Sequence, residues 1–285
     1  MSNLSVIIVS YNGLDLIKNC LDSVKEYNDI GDRLEVIVVE QSPSEEIYNY
    51  ITEEYTWVKC IRNSNQGYGG GNNVGVKNAS GDILLFLNPD TVLIESVFAD
   101  MLIEYEQDKK LGIAGCRLLD GKRNKVQSFF WKDSISNWKG VAWRFLDKWD
   151  AFLPGRMYIT GADIFVPKHI FVQAGMFDEN IFMYSEETDI CNRVEKLGYY
   201  TKYYKNKKII HLEGKTTEDN YIKKELAKMK SYLLVAEKNG EKREDILNKA
   251  IKASKHRSWI FYIFNNKERY NLERKLIEKY KQGEV

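Results

Sequence analysis

The chain has 285 residues, 44% of them hydrophobic and 29% charged, and its formal net charge is +1. That length allows one large or two modest domains, with ample apolar content for a full core. Near-neutrality excludes a general nucleic-acid binder, which needs a positive field to attract phosphates. Four cysteines (Cys20, Cys60, Cys116, Cys191) are scattered without paired metal spacing and read as small buried hydrophobes in a reducing compartment. MSNLSVIIVSYN carries no basic region before its short apolar run, so no signal peptide is expected. No stretch approaches the roughly 18 apolar residues of a membrane span. These features point to a cytoplasmic protein, free to touch the inner face of the cell membrane.

Leu4–Ser10 is a continuous run rich in β-branched residues, the mark of a strand buried on both faces of a parallel sheet. Leu14, Ile17, Leu21 and Val24 follow at helical spacing. Leu34–Val39 reads as a second strand, Ile47–Tyr55 as a helix and Val58–Arg62 as a third strand. Val74–Ala79 continues a helix that Gly81 ends, and Ile83–Leu87 is a fourth strand. Beyond it the pattern predicts a helix over Val92–Gln107, a strand near Leu111–Leu118, a strand over Tyr158–Val166 and a helix over Asp189–Leu197. Two further strands, Tyr199–Tyr204 and Lys208–His211, complete this part, and from about Thr217 the pattern turns helical and highly charged. Strands alternating with helices define a doubly wound α/β sheet, whose ligands bind beyond the carboxyl ends of the strands. Tyr11, Glu40, Asn65 and Asp90 fall at or just past those ends.

Three segments carry the chemistry. NQGYGGGNNVG (residues 65–75) packs five glycines between the third strand and a helix. Such a loop lets backbone N–H groups approach a bulky ligand, with Asn72 and Asn73 as further donors and acceptors. It is neither a P-loop nor a dinucleotide fingerprint, which argues against a nicotinamide oxidoreductase. In LNPDT, Pro89 ends the strand and presents Asp90, either as a cation ligand or as the cap of the helix expected near Val92. Asn88 is neutral, so a cation there would need phosphate oxygens to complete its shell. His211 is either a nitrogen ligand that would suit manganese or a structural residue. In MYSEETD, Glu186, Glu187 and Asp189 open a helix after an apolar, aromatic run, so the carboxylates are packed rather than fully solvated. Helical spacing lets Asp189 pair with Arg193 while another carboxylate faces a substrate with a raised pKa.

SVIIVSYNG, the strand ending at Glu40, NQGYGGGNNVG, LLFLNPD, TGADIFV, FDENIFMYSEETDICNR and IIHLEG occur in an order and spacing that resembles the family 2 glycosyltransferases, and among them the rhamnosyltransferase-like branch of bacterial surface-polysaccharide biosynthesis. The resemblance covers about residues 3–215. It implies an α/β GT-A fold, a Rossmann-like doubly wound mixed sheet over residues 1–216, with a C-terminal helical extension over 217–285. Residues 1–118 would be the nucleotide-sugar-binding half and 119–216 the acceptor and catalytic half. It further implies an inverting, metal-dependent transfer from a nucleotide-diphosphate sugar, dTDP-rhamnose before a UDP-hexose, to a glycan acceptor hydroxyl. On that likeness Asp90 matches the last aspartate of the family's Asp-x-Asp motif and, with His211, would hold Mn2+ or Mg2+. Glu187 matches the catalytic base, with Glu186 its rival. Ser10, Tyr11, Asn12, Glu40, Asn65, Gly67, Asn72, Asn73, Asn88 and Asp90 would bind the nucleotide sugar. Gly161, Ala162, Asp163 and Glu186 would face the acceptor. Glu40 stands where the family usually has an aspartate that contacts the base.

The tryptophan-rich stretch 129–153 and HRSWIFYIF (residues 256–264) mix aromatic and basic side chains. One reading is a membrane interface, which a polyprenyl-linked acceptor would require; the other is an acceptor loop and a packed helix. A catalytically silent nucleotide-sugar-binding assembly protein is the alternative from another functional class.

Overall fold

The computed structural model describes residues 2–132, 149–212 and 218–285. Leu4–Ser10 is β1, buried along almost its whole length because both faces of the strand are covered. It pairs in parallel with β2 (Leu34–Glu40), which pairs in parallel with β3 (Val58–Arg62). Helix α1 (Leu14–Glu26) connects β1 to β2 and buries Ile17, Leu21 and Val24 of the predicted stripe, together with Cys20, while Leu14 is half-buried. Helices α2 (Glu46–Glu54) and α3 (Gly67–Asn78) make the next crossovers, and β4 (Ile83–Leu87) returns alongside β1.

The sheet continues across the middle of the chain. Beyond β4 come β5 (Thr91–Leu93), helix α4 (Phe98–Gln107) and β6 (Leu111–Leu119). The short strands β7 (Phe129–Trp131) and β8 (Met157–Ile159) pair antiparallel as a separate ribbon. Next follow β9 (Asp163–Pro167), helix α5 (Lys168–Gln173), helix α6 (Glu186–Lys196) and β10 (Tyr200–His211). The strand order is β3-β2-β1-β4-β9-β6-β10-β5, mixed because β9 runs antiparallel to β4 and β6, and β5 antiparallel to β10. One sheet therefore runs through both expected halves, 1–118 and 119–216.

Several expectations are corrected by long-range packing. The helix expected over Val92–Gln107 begins only at Phe98, since Thr91–Leu93 pairs with Ile209–His211 and forms the sheet edge. The strand expected over Tyr158–Val166 breaks at residues 160–162, its two parts pairing with different partners, β7 and β4. Tyr199–Tyr204 and Lys208–His211 are one strand with an irregularity between Tyr204 and Lys208. Helix α6 starts at Glu186 instead of Asp189, so the acidic residues lie inside its first turn. The glycine-rich segment is helical from Gly67 onward. A Cβ on Gly75 would lie 2.3 Å from Ile7 Cγ2, and one on Gly71 would lie 2.8 Å from Val9 Cγ1. Those glycines let α3 press closely onto β1 at positions where any side chain would collide.

Two compact units emerge. Of the described residues, the larger takes 2–132, 152–182 and 186–212, and the smaller takes 149–151, 183–185 and 218–285. The smaller unit has three helices, α7 (Glu218–Lys238), α8 (Arg243–Ile263) and α9 (Lys267–Gln282), in line with the helical extension expected from residue 217. Leu233, Ile246, Ala250 and Leu276 form its core. Glu273, 1% exposed, is held there by Arg257, whose Nε and Nη2 donate to its carboxylate at 2.8 and 3.0 Å. Most of the tryptophan-rich stretch, residues 133–148, lies outside the described residues.

Candidate active site

The parallel register Ser10↔Glu40 brings the carboxyl ends of β1 and β2 side by side. Their loops are tied together: Gln41 N–H donates to Ser10 O at 2.9 Å and Asn12 N–H to Ser42 Oγ at 2.8 Å. Asn12 takes a left-handed conformation (φ 56°), one of the few polar side chains that tolerate it. Beyond these ends opens a cavity of about 540 Å3 walled by Tyr11, Gln41, Ser42, Arg62, Asn63 and Asn65, among others. Tyr11 offers a half-exposed ring suited to stacking on a planar ligand. Buried Gln41 Nε2 and Asn63 Nδ2 have no partner among the described residues, and buried polar groups of that kind need one. Ser10 is buried, its hydroxyl likewise without a partner among the described residues.

Glu40 lies behind this wall. Its carboxylate is fully buried and fully engaged, accepting from Ser42 N–H at 2.9 Å, from Ser42 Oγ, and from Arg62 Nη1 at 3.0 Å. Arg62 Nη1 also donates to Ser42 O and Ser44 O. The ion pair thus fixes the loop after β2. Asn65 caps the start of α3, its Oδ1 accepting Gly67 N–H at 3.1 Å. Gly67 (φ 75°) has no alternative, because a Cβ there would fall 2.0 Å from Phe182 O. Tyr68 N–H donates to that same Phe182 O at 3.2 Å. Asn73 is engaged with Phe177, donating to its carbonyl and accepting its N–H. Asn72 donates to Tyr68 O at 3.0 Å while its buried Oδ1 has no partner among the described residues. The first donors of the glycine segment therefore serve the fold.

At the end of β4, Asn88 N–H donates to Ala162 O at 3.0 Å, and Thr91 folds back through N–H and Oγ1 onto Asn88 O at 3.2 and 2.6 Å. This turn carries Asp90. The pairing of Thr91 with His211 brings His211 Nε2 to 3.3 Å from Asp90 Oδ1. Asp90 caps no helix, since β5 follows it. Among the described residues no three His, Cys, Asp or Glu side chains cluster as a metal cage. A carboxylate and an imidazole, partly open to solvent, form a mixed oxygen and nitrogen donor pair that suits Mn2+ and leaves most of its shell to a ligand.

Gly161, the neighbour of Ala162, lies against the Glu187 carboxylate of the acidic pair. Tyr184 and Ser185, both at φ 70°, hold the chain in the left-handed region immediately before α6. Non-glycine residues adopt it at a cost of roughly 1–2 kcal/mol each, a strain that clusters at functional sites. Glu186 is 2% exposed, and burial, then the charge of Glu187, push its pKa well above the usual carboxylate range. Burial also raises the pKa of Glu187, against the opposing pull of backbone hydrogen bonds, one of them with Gly161. A Cβ on Gly161 would lie 2.5 Å from Glu187 Oε1, so only glycine admits the carboxylate. Tyr68 donates its hydroxyl to Gly161 O at 2.8 Å. Asp163 is fully buried, accepts Cys116 N–H at 2.5 Å, and is pushed up to about 7 by desolvation. Asp189 turns away to Arg193, which grips it through Nε at 3.0 Å and Nη2 at 2.5 Å.

The segment Gly161–Asp163 thus joins the Asp90 turn to Glu187. Sequence reasoning missed Tyr68, Tyr158 and Arg62 here. Tyr158, its phenol pKa raised by burial and then by the charge of Glu187, closes the same corner. The signal for Tyr68 was its position as the single large side chain within a glycine run.

A mixed sheet with the parallel strands β3-β2-β1-β4 on one side and the antiparallel insertions of β9 and β5 on the other is the arrangement of the GT-A fold. Residues 5–163 match the family model described as Glycosyl transferase family 2, and the chain belongs to that family. It is similar to the low-salt glycan biosynthesis hexosyltransferase Agl10 of Haloferax volcanii, 26% identical over 69% of this chain and 62% of that protein. It is also similar to the rhamnosyltransferase WbbL of Escherichia coli, 24% identical over 70% of this chain and 79% of that protein. The chain spans 62% and 49% of the length of the first two curated relatives it matches. In three dimensions it resembles the mannosyltransferase PcManGT of Pyrobaculum calidifontis, solved with GDP-Man and Mn2+, at a TM-score of 0.60 and 14% identity, covering 96% of this chain and 74% of that one. That likeness is one of fold.

Proposed function

We propose that the chain is an inverting glycosyltransferase that moves rhamnose from dTDP-rhamnose to a glycan hydroxyl in surface-polysaccharide assembly. The observation that carries this reading is Glu187: a half-buried carboxylate with a raised pKa, held at Gly161, one short segment from Asp90. A base poised in that way takes a proton from an acceptor hydroxyl. The hydroxyl oxygen then attacks the anomeric carbon as the bond to the diphosphate breaks on the opposite face, so the configuration inverts in one displacement. Tyr11 and the walls around Gln41 and Asn63 receive the nucleotide. A divalent cation held by Asp90 and His211 would neutralise the departing diphosphate. Gly161, Tyr68 and Tyr158 position the base, burial raises its pKa, and its charge in turn holds Glu186 protonated.

Relatives named as a rhamnosyltransferase and as a hexosyltransferase support sugar transfer, and the first directs the choice of donor. Thermal unfolding with a panel of nucleotide sugars, with and without Mn2+, tests it. A ligand at a hundredfold over its dissociation constant stabilises by about 2.7 kcal/mol. Stabilisation by dTDP-rhamnose, and transfer of its sugar seen by mass spectrometry, is the expected result. A UDP-hexose as the sole stabiliser would reassign the donor. Silence throughout would favour a non-catalytic assembly role.

A further inference from the structure

The smaller unit carries a surface that sugar transfer does not use. Along α8, Lys252, Lys255, Trp259 and Tyr262 recur every three or four residues on one exposed face, while Ile246, Ala250, Ala253 and Ser258 are buried. The downstream end of this face is apolar: Trp259, Tyr262, Ile263 and Phe264 are 59%, 71%, 54% and 78% exposed. The upstream end is basic. From Ile246 to Lys267 there is no Asp or Glu, although the whole chain carries 42 basic and 41 acidic residues. Arg257 is engaged with Glu273 and Lys249 with Glu241, which leaves Lys252 and Lys255 on the exposed face and Lys267 beside the turn.

The turn that presents these rings is closed on itself. Asn265 N–H donates to Tyr262 O and Asn266 N–H to Phe261 O, with Asn265 left-handed at φ 52°: a Schellman stop. Asn266 then caps α9, its Oδ1 accepting Arg269 N–H at 3.1 Å. The N–H groups of Phe264, Asn265 and Asn266 are therefore satisfied internally, which lowers the penalty for bringing the exposed rings to lipid. No described helix is long and apolar enough to cross a membrane. An exposed helical face with basic residues along one stretch and aromatic residues at its tip suits the headgroup region instead.

We propose that the tip of the α8–α9 hairpin docks on an anionic lipid surface, with Trp259 and Phe264 entering the interface and Lys252 and Lys255 meeting the headgroups. Charge selects this occupant over a second copy of the chain, since a two-fold pairing of the same face would set the lysines of both molecules against each other. The proposal is independent of which sugar is transferred.

Sedimentation of the full chain with vesicles of phosphatidylcholine, alone or mixed with phosphatidylglycerol, tests it. Binding is expected to the anionic vesicles only and to weaken as salt is raised. Trp259→Ser with Phe264→Ser should weaken partitioning by roughly tenfold or more, and Lys252→Glu with Lys255→Glu should abolish the preference for anionic lipid. All four positions are exposed, so unchanged thermal unfolding is expected to accompany both variants. Tryptophan quenching by brominated lipid, lost in Trp259→Phe, gives a readout in the otherwise intact protein. Absence of vesicle binding by the unsubstituted chain, or binding and quenching indifferent to these substitutions, would overturn the proposal. So would light scattering that shows a dimer dissociated by the same changes.

Discussion

Glu40 and the Glu186–Glu187 pair are all carboxylates withdrawn from solvent in one unit, yet their surroundings differ. Glu40 is matched by a guanidinium and by both polar groups of Ser42, so its charge is compensated in place. Glu186 and Glu187 crowd each other at the start of α6, and burial drives both toward the protonated form. The contrast is one of compensation: the matched carboxylate holds a loop, and the crowded pair is held toward the protonated form by burial.

Short of removing the base itself, the largest effect is expected at Asp90. Asp90→Ala should lower donor affinity in Mn2+ by about ten- to a hundredfold, on the scale of lost metal-site interactions, and largely erase the difference between buffers with and without Mn2+. Calorimetric titration of the donor checks both. Gly161→Ala should displace the Glu187 carboxylate, because the new methyl would sit 2.5 Å from Oε1. We expect kcat to fall by roughly a hundredfold while donor affinity holds; an unchanged kcat would sever Gly161 from the base. Arg62→Met should destabilise the fold by about 1–3 kcal/mol, discounted because the arginine is one-third exposed while Glu40 is fully buried. Adding Glu40→Gln to that variant should restore part of the loss in a urea titration, as neutralising the orphaned charge predicts.

The smallest effect concerns pH. Carboxyls whose pKa is raised on folding bind protons more tightly in the native state than in the unfolded one. The stability they contribute is fully present below the unfolded value of about 4.3 and is lost as pH rises through the raised native value. Transfer should increase over that same interval, since the base works deprotonated. Glu186→Gln should flatten the stability profile and leave the acid limb of kcat, which Glu187 sets, in place. A stability profile that stays unchanged would mean that Glu186 takes up no extra proton on folding.

Two strands of the nucleotide side were legible because they are buried on both faces: LSVIIVS and ILLFL are strands over the same residues that the apolar runs mark. VKCIR, exposed at Lys59 and Arg62, is a strand over the expected residues as well. Asp189 with Arg193 followed from helical spacing. What stayed hidden depends on partners remote in sequence. Thr91–Leu93 looks like the start of a helix until Ile209–His211 pairs with it, and that pairing is also what brings His211 to Asp90. Gly71 and Gly75 read as a loop because the need for close approach comes from Val9 and Ile7, some sixty residues earlier. Glu40 was legible as a strand-end acid, but its ion pair with Arg62 required the register of β2 on β3.

The claim that Glu187 is the base is tested most directly by Glu187→Gln, assayed for donor binding and for transfer in the same preparation, beside Glu186→Gln. The account predicts undiminished donor binding with transfer reduced by about a hundred- to ten-thousandfold in Glu187→Gln, and a smaller, pH-dependent loss in Glu186→Gln. Undiminished transfer by Glu187→Gln would contradict it.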